Sequence, residues 1–383
     1  MQKERLTWGQ LLGYIPVTPE KSELSRSDEP EYEYQLGQAA FLDMNSLESR
    51  KISKPDGLVD GFDRRLNYLR ISITDRCNLN CLYCMPTDRI PKLTHVDILR
   101  YEEILRVVRI AVGLGISKIR VTGGEPLMRK GVYEFLARLS AINGITDLAL
   151  TTNGLLLKEN VERLKTAGVR RLNVSLDTLD ASTYHRITGH PVFQKVWEGI
   201  LAAHEAGFFP IKLNVVALKG INDHELSRLG QLSFAYPFHI RFIEQMPIGG
   251  LGIHPDPPLL AGEIKQTLEK TLGPLTPVRN SANDGPARRY RFQNARGEIG
   301  FISPLSNHFC EACNRLRLTA SGRIRACLLS DEQTDLKEPM RAGCTDSRLV
   351  ELMLSAVAKK PQGHGLTPET TKPIAGHMSA IGG

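Results

Sequence analysis

From Tyr68 onward, short β-branched runs alternate with longer amphipathic ones. The runs YLRISIT (68–74), KIRVTG (118–123), LALTTN (148–153), RLNVSL (171–176), IKLNVVAL (211–218) and HIRFIEQM (239–246) read as strands. Helical periodicity fills the stretches around 101–114, 131–142, 158–167, 192–206 and 223–235, and Gly115, Gly144, Gly168 and Gly207 stand where helix C-caps are expected. Six strands separated by helices predict an α/β fold with a parallel sheet joined by right-handed crossovers, either an open doubly wound sheet or a partial barrel. Beyond Met246 the pattern changes. A Pro/Gly-rich linker (Pro247 to Pro258) leads to a helical stretch at 261–271. Strand-like runs follow at 289–293, 298–303, 315–319 and 323–328, with Ser321-Gly322 as a turn, and 346–360 is helical. These features predict a smaller C-terminal α+β region.

Before the first strand, Pro16, Pro19, Pro30 and Pro55 punctuate an acidic, serine-containing stretch, with a short apolar segment from Trp8 to Ile15. Three parts are therefore expected: an extension over 1–56, the main domain over 57–250, and the C-terminal region over 251–383. At 383 residues, 41% apolar and 24% charged, the chain can bury one or two ordinary cores. It has no signal peptide and no apolar run of membrane-spanning length, so a cytoplasmic protein without membrane contact is expected.

The net charge of +7 invites a nucleic-acid reading, but the charge is uneven. Acids outnumber bases eight to three from Glu20 to Arg50, whereas bases outnumber acids nine to three from Arg279 to Arg325, and every one of those bases is arginine. Arginine's planar fork suits bidentate phosphate recognition, so a polyphosphate ligand fits this patch as readily as a nucleic acid. No interleaved aromatic-basic stripe for stacking single strands is present, and no nucleic-acid partner is expected.

The chemistry lies in the cysteines. Cys77, Cys81 and Cys84 form a C-x3-C-x2-C run directly after the first strand. Three thiolates can grip one face of a cubic iron–sulfur cluster, but the all-cysteine version needs four, so one iron would lack a protein ligand. Zinc would need a fourth ligand from outside the run, such as His95. The odd cysteine count argues against disulfides. A second set, Cys310 and Cys313 with Cys327 after thirteen intervening residues, again makes three. Cys344 reads as an ordinary small buried residue. In a barrel, chemistry collects at the strands' carboxyl ends. The cysteine run follows the first strand and Gly123-Gly124-Glu125-Pro126 the second; Thr151-Thr152-Asn153-Gly154, Ser175-Leu176-Asp177 and Glu244-Gln245-Met246 end the third, fourth and sixth.

The cysteine run with an aromatic before its last cysteine, followed by GGEP on the next strand, resembles the radical S-adenosylmethionine enzymes. LRISITDRCNLNCLYCMP (69–86), KIRVTGGEPLMR (118–129), LTTNG (150–154), RLNVSLDTL (171–179), RFIEQMPIG (241–249), CEACNRLRLTASGRIRACL (310–328) and the terminal Gly-Gly narrow the resemblance to the GTP 3′,8-cyclase family, over about residues 57 to 383. The resemblance implies a partial (β/α)6 TIM-type barrel and a lyase acting first in molybdenum-cofactor biosynthesis. By resemblance, Cys77, Cys81 and Cys84 ligate one 4Fe–4S cluster and Cys310, Cys313 and Cys327 a second. Tyr83, Gly124, Ser175 and Met246 would contact S-adenosylmethionine. Arg70, Arg120, Thr151, Lys212, Arg315, Leu316 and Arg317 would contact GTP, and the tail residues Gly382 and Gly383 would reach the active site. A 5′-deoxyadenosyl radical would take hydrogen from C3′ of GTP, and the C3′ radical would attack C8 to give (8S)-3′,8-cyclo-7,8-dihydro-GTP. The implied partners are an electron donor of flavodoxin or ferredoxin type and a downstream cyclic pyranopterin monophosphate synthase, and a homodimer is compatible with the family. Arg315 and Arg317 are expected to leave opposite faces of their strand, so that both reaching one triphosphate requires a twist. Two rival readings are a peptide-modifying radical enzyme with an auxiliary cluster and a non-enzymatic iron–sulfur or zinc module.

Overall fold

The computed structural model describes residues 57–84, 92–248, 258–279, 285–369, 374 and 377–381. The expected extension over 1–56, the tail residues Gly382 and Gly383 and most of the Pro/Gly-rich linker lie outside the described residues. Ile52–Gly383 forms one compact unit.

A short antiparallel hairpin, β1 (Leu58–Val59) with β2 (Arg65–Leu66), leads into β3 (Tyr68–Ser72). The other expected strands follow as β4 (Lys118–Thr122), β5 (Asp147–Thr152), β6 (Arg171–Ser175), β7 (Lys212–Ala217) and β8 (His239–Glu244). Later come β9 (Leu275–Pro277), β10 (Arg288–Phe292), β11 (Glu298–Ile302), β12 (Arg315–Leu318), β13 (Arg323–Arg325) and β14 (Thr334–Asp335). One sheet holds twelve of them in the order β14-β13-β12-β3-β4-β5-β6-β7-β8-β11-β10-β9. All neighbours from β12 through β3–β8 to β11 pair in parallel, and the outer pairs are antiparallel. The strands of the C-terminal stretch therefore continue the main sheet from both sides. They cover β3 and β8, which would otherwise present open edges.

Several expected elements shift. Each predicted strand of the parallel core gives up one or two residues to the turn that follows, which is where the polar motifs begin. The run expected as a strand over 323–328 ends at Arg325, just before Cys327. The helix expected over 158–167 is Val161–Thr166, and 223–225 is a 3-10 turn preceding the helix Leu226–Ala235. A helix not anticipated, Ala181–Thr188, begins at Asp180, whose carboxylate accepts from the Ser182 and Thr183 N–H groups. Gly115, Gly168 and Gly207 follow helix C-caps in left-handed conformations, with φ of 101°, 82° and 85°. Gly144 does not: its helix is capped at Ala141, and the glycine turns the chain toward β5.

Alternation along the parallel strands separates two faces. Leu69 and Ile71, Ile119 and Val121, Leu148 and Leu150, Leu172 and Val174, Leu213 and Val215, Ile240 and Phe242, and Leu316 and Leu318 are buried in the core. The opposite face carries polar residues, and register aligns them across strands. Arg317, Arg70 and Arg120 stand opposite one another on β12, β3 and β4. Ser175 stands beside Asn214, and Asn214 beside Arg241.

Candidate active site

That polar face and the turns beyond it line a cavity of about 1130 Å³ including its solvent-open part. Eight of the predicted binding residues line it: Tyr83, Ser175, Met246, Arg70, Arg120, Thr151, Arg315 and Arg317. Arg315 and Arg317 both face inward, which corrects the expectation that they diverge. Residues two apart share a strand face, and Leu316 between them points into the core. Lys212 is buried on β7, and neither it nor Leu316 lines the cavity. The arginine-rich run over 279–325 is also not one patch. Arg289 and Arg291 bind Glu298, Arg288 binds Asn307, and Arg325 is buried with its guanidinium on the Ser330 carbonyl.

Sequence reasoning missed Tyr68, Asn214 and Arg241, which also line the cavity. The Tyr68 hydroxyl and the Asn214 Oδ1 are buried without a hydrogen-bond partner, as is the Thr151 hydroxyl. Buried polar atoms left this way point to a ligand that completes them. Period-two spacing from Arg70 and Lys212 marks Tyr68 and Asn214, whereas Arg241 emerges only from cross-strand register.

The turn motifs bind one another around the first cysteine set. Glu125, fully buried, accepts from the Asn153 N–H at 2.8 Å, the Thr152 hydroxyl at 2.9 Å and the Leu127 N–H at 3.0 Å. Burial pushes its carboxyl up to about 7 against the pull of those donors. Asn153 Nδ2 reaches Asn78 Oδ1 at 2.7 Å and Cys77 Sγ at 3.7 Å. The Tyr83 hydroxyl donates to Asp177 at 2.7 Å, and the Val216 N–H donates to the other oxygen at 2.8 Å. Burial raises Asp177 to about 6.

Gly124 does not line the cavity, yet the fold demands it. Its N–H donates to the Thr74 carbonyl at 2.7 Å, and an added Cβ would run into the Arg76 carbonyl. Gly124→Ala is therefore expected to displace the segment that enters the cysteine run. It should cost about 1–3 kcal/mol of stability through overpacking and lower the iron retained by the purified protein. Thermal melting and iron analysis check this; a variant with wild-type iron and melting temperature would refute it.

All seven cysteines are free thiols. In the first set burial and the neighbouring thiols hold ionisation back, Cys84 rising to about 12 and Cys81 well above its ordinary value. Three mutually opposed, part-buried sulfurs suit a metal group whose charge would hold them as thiolates. The second set is electropositive: burial would raise Cys313, but Arg315 and then Lys360 bring it down to about 6. Arg315 Nη2 and Lys360 Nζ donate to its sulfur at 3.6 and 3.5 Å. His308 and His364, not foreseen, place ring nitrogens within 4.8 Å of Cys310 Sγ and of each other. His95, the candidate fourth zinc ligand of the first set, is exposed. Cys344 is half-buried against the core and does not line the cavity. The last described residues come to the same place: Met378 lines the cavity and the Ser379 carbonyl accepts from the Ser72 hydroxyl at 3.3 Å.

Comparisons with known proteins agree with this geometry. Residues 71–232 match the radical SAM superfamily, and residues 238–366 match the family described as Molybdenum Cofactor Synthesis C. A GTP 3′,8-cyclase of Pelotomaculum thermopropionicum is 49% identical over 306 residues, covering 80% of this chain and 94% of the relative. Another, of Moorella thermoacetica, is 48% identical over 324 residues, covering 85% and 99%. The chain belongs to the GTP 3′,8-cyclase family. Streptococcus suis SuiB bound to S-adenosylmethionine shares the fold, with a TM-score of 0.53 at 16% identity over 71% of this chain and 64% of that one. SuiB bound to its precursor peptide SuiA gives 0.56 at 16% identity, over 78% and 66%. Sequence similarity of this extent ties the chain to the GTP 3′,8-cyclases, whereas its likeness to SuiB is one of fold. Among the described residues, no helix is long and apolar enough to cross a membrane.

Proposed function

We propose that the chain converts GTP to (8S)-3′,8-cyclo-7,8-dihydro-GTP, the first step of molybdenum-cofactor biosynthesis, in the cytoplasm. The observation that carries this reading is the row Arg317–Arg70–Arg120 in one cavity with Tyr83, Ser175 and Met246, between two tri-cysteine sets. Cys77, Cys81 and Cys84 would hold one 4Fe–4S cluster, and Cys310, Cys313 and Cys327 the other. When bound, these clusters and S-adenosylmethionine supply a 5′-deoxyadenosyl radical and the electrons of the reaction.

The protein's own part is placement. Arg70, Arg120, Arg315 and Arg317 bind the triphosphate, with Thr151 on β5 beside them and the Leu316 backbone in the same strand as Arg315 and Arg317; Lys212, buried on β7 off the cavity, falls outside this set. Tyr83, oriented by Asp177, works with Ser175, Met246 and the backbone at Gly124 to hold S-adenosylmethionine. Asn214 lies beside Ser175 on one side and Arg241 on the other, at the boundary between the two ligands. Holding C3′ and C8 of one GTP in register is an orientation effect, of a kind that lowers barriers by about 7–11 kcal/mol. Gly382 and Gly383 would extend the tail beyond Met378 into the same space, where residues without side chains fit best. An electron donor of flavodoxin or ferredoxin type, a cyclic pyranopterin monophosphate synthase as product acceptor, and a homodimeric assembly complete the proposal.

Anaerobic incubation of reconstituted protein with S-adenosylmethionine, a strong reductant and GTP deuterated at C3′ tests it. The expected result is 5′-deoxyadenosine that forms in a GTP-dependent manner and carries the deuterium. Formation of unlabelled 5′-deoxyadenosine at the same rate with and without GTP would sink the reading.

A further inference from the structure

We propose that Lys360 is the resident cation of the second cysteine set: it holds the two halves of that set together and raises the reduction potential of the cluster bound there. This rests on the assignment of a 4Fe–4S cluster to Cys310, Cys313 and Cys327. Lys360 follows the helix Asp346–Ala358 and is 3% exposed. Its Nζ donates to the Ala326 carbonyl at 2.5 Å, the Arg315 carbonyl at 3.1 Å and Cys313 Sγ at 3.5 Å. Three acceptors match the three protons of an ammonium, and a neutral amine could serve just two of them. Ala326 adjoins Cys327, and Arg315 lies two residues past Cys313. One side chain thus ties together cysteines that thirteen intervening residues separate in the sequence.

A lysine this buried normally has a counter-ion. Among the described residues, no carboxylate lies within ion-pair distance of Lys360. Arg64, which braces the same segment, is paired with Asp60 at 2.6 Å. Arg64 donates to the carbonyls of Cys310, Gln362 and Pro361, so the strap from Lys360 to Gln362 is fastened to the cysteine loop from both sides. The anion that Lys360 lacks is the sulfur-ligated centre itself. Fixed positive charge and hydrogen bonds to the sulfurs favour the more negative, reduced state of a cluster and so raise its potential. The first set has two buried carboxylates close by, Glu125 beside Cys77 and Asp177 beside Cys81, and the charge of Lys92 reaches it at Cys84. Lys360, together with Arg315, therefore makes the two centres unequal, the second being easier to reduce.

The test is a potentiometric titration of the full-length reconstituted protein, followed by electron paramagnetic resonance, with iron and sulfide analysis of each sample. Lys360→Met should shift the second centre to lower potential and leave the first unmoved, while Lys360→Arg stays close to the wild type. If Lys360→Met fails to load iron, Lys360→Gln, which keeps a donor without the charge, is titrated in its place. Equal potentials in the wild type and the neutral variant, or equal shifts in the neutral variant and Lys360→Arg, would overturn the proposal. Cys310→Ser separates the underlying assignment: undiminished iron and sulfide in that variant would remove the second cluster itself.

Discussion

Arg317→Ala weakens GTP binding by roughly 10- to 150-fold, the loss expected for one or two hydrogen bonds to a charged group, and leaves the ligand-free protein as stable as before or more so. Arg317 lies on β12 directly opposite Arg70, which in turn lies opposite Arg120 on β4. Like charges facing each other across strands are destabilising. Burial, and then the charge of Arg315, brings Arg317 down to about 9; Arg70 is depressed by burial, Arg317 and Arg120 in turn. Among the described residues lining the cavity, Glu244 is the one carboxylate. Its oxygens are engaged by the N–H groups of Ala261, Leu305 and Ser306 and by the Ser306 hydroxyl. The row thus sets like charges against one another, and truncating one member eases that repulsion while removing a phosphate contact. Arg315→Ala should weaken GTP equally but also lose the bond to Cys313, so Arg317 is the cleaner position. Arg291, half-exposed and paired with Glu298, serves as the control whose removal leaves GTP affinity intact. Isothermal titration with GTP and thermal melting without it read both halves; affinity within about twofold of wild type for Arg317→Ala would refute the phosphate role.

How far this site could be read without coordinates depended on the kind of signal. Cys77, Cys81 and Cys84, and the polar motifs beginning at Gly123, Thr151 and Ser175, announce themselves locally, because each follows or ends a strand of clear periodicity. The parallel core was legible for the same reason. Asn214 follows from Lys212 by strand period, whereas Arg241, although it opens the RFIEQMPIG run, owes its place in the cavity to register with Asn214, which no local pattern prescribes. The partners of the second cysteine set were likewise hidden. Lys360, Arg64 and His364 come to Cys310 and Cys313 from distant parts of the chain, through long-range closure of the fold, while His308 stands two residues before Cys310. The covering of β3 and β8 by β12 and β11 is similarly non-local. Arg315 and Arg317, by contrast, needed only the strand period applied correctly.

Serine at any one of Cys77, Cys81, Cys84, Cys310, Cys313 or Cys327 reduces cyclised product to background, and the two sets should fail differently. Variants of the first set should make no 5′-deoxyadenosine, because Tyr83 adjoins Cys84, its hydroxyl donates to Asp177, and the electron that cleaves S-adenosylmethionine must arrive at that set. Variants of the second set keep that chemistry and lose the coupling to GTP, because Arg315 and Arg317 belong to the strand that follows Cys313. They should therefore yield some 5′-deoxyadenosine without cyclised nucleotide. Cys344→Ser should retain activity. Its backbone does the structural work there: the N–H donates to the Pro339 carbonyl at 3.0 Å and its carbonyl accepts from Arg106 at 2.7 Å. A half-buried thiol at the core's margin can become a hydroxyl at modest cost, about 1–3 kcal/mol at most if the group is left without a partner. Nucleotide products and 5′-deoxyadenosine quantified in parallel, with iron content, separate the cases. Wild-type product from Cys327→Ser would remove the second centre from the reaction, and an inactive Cys344→Ser protein with full iron would bring the seventh cysteine into it.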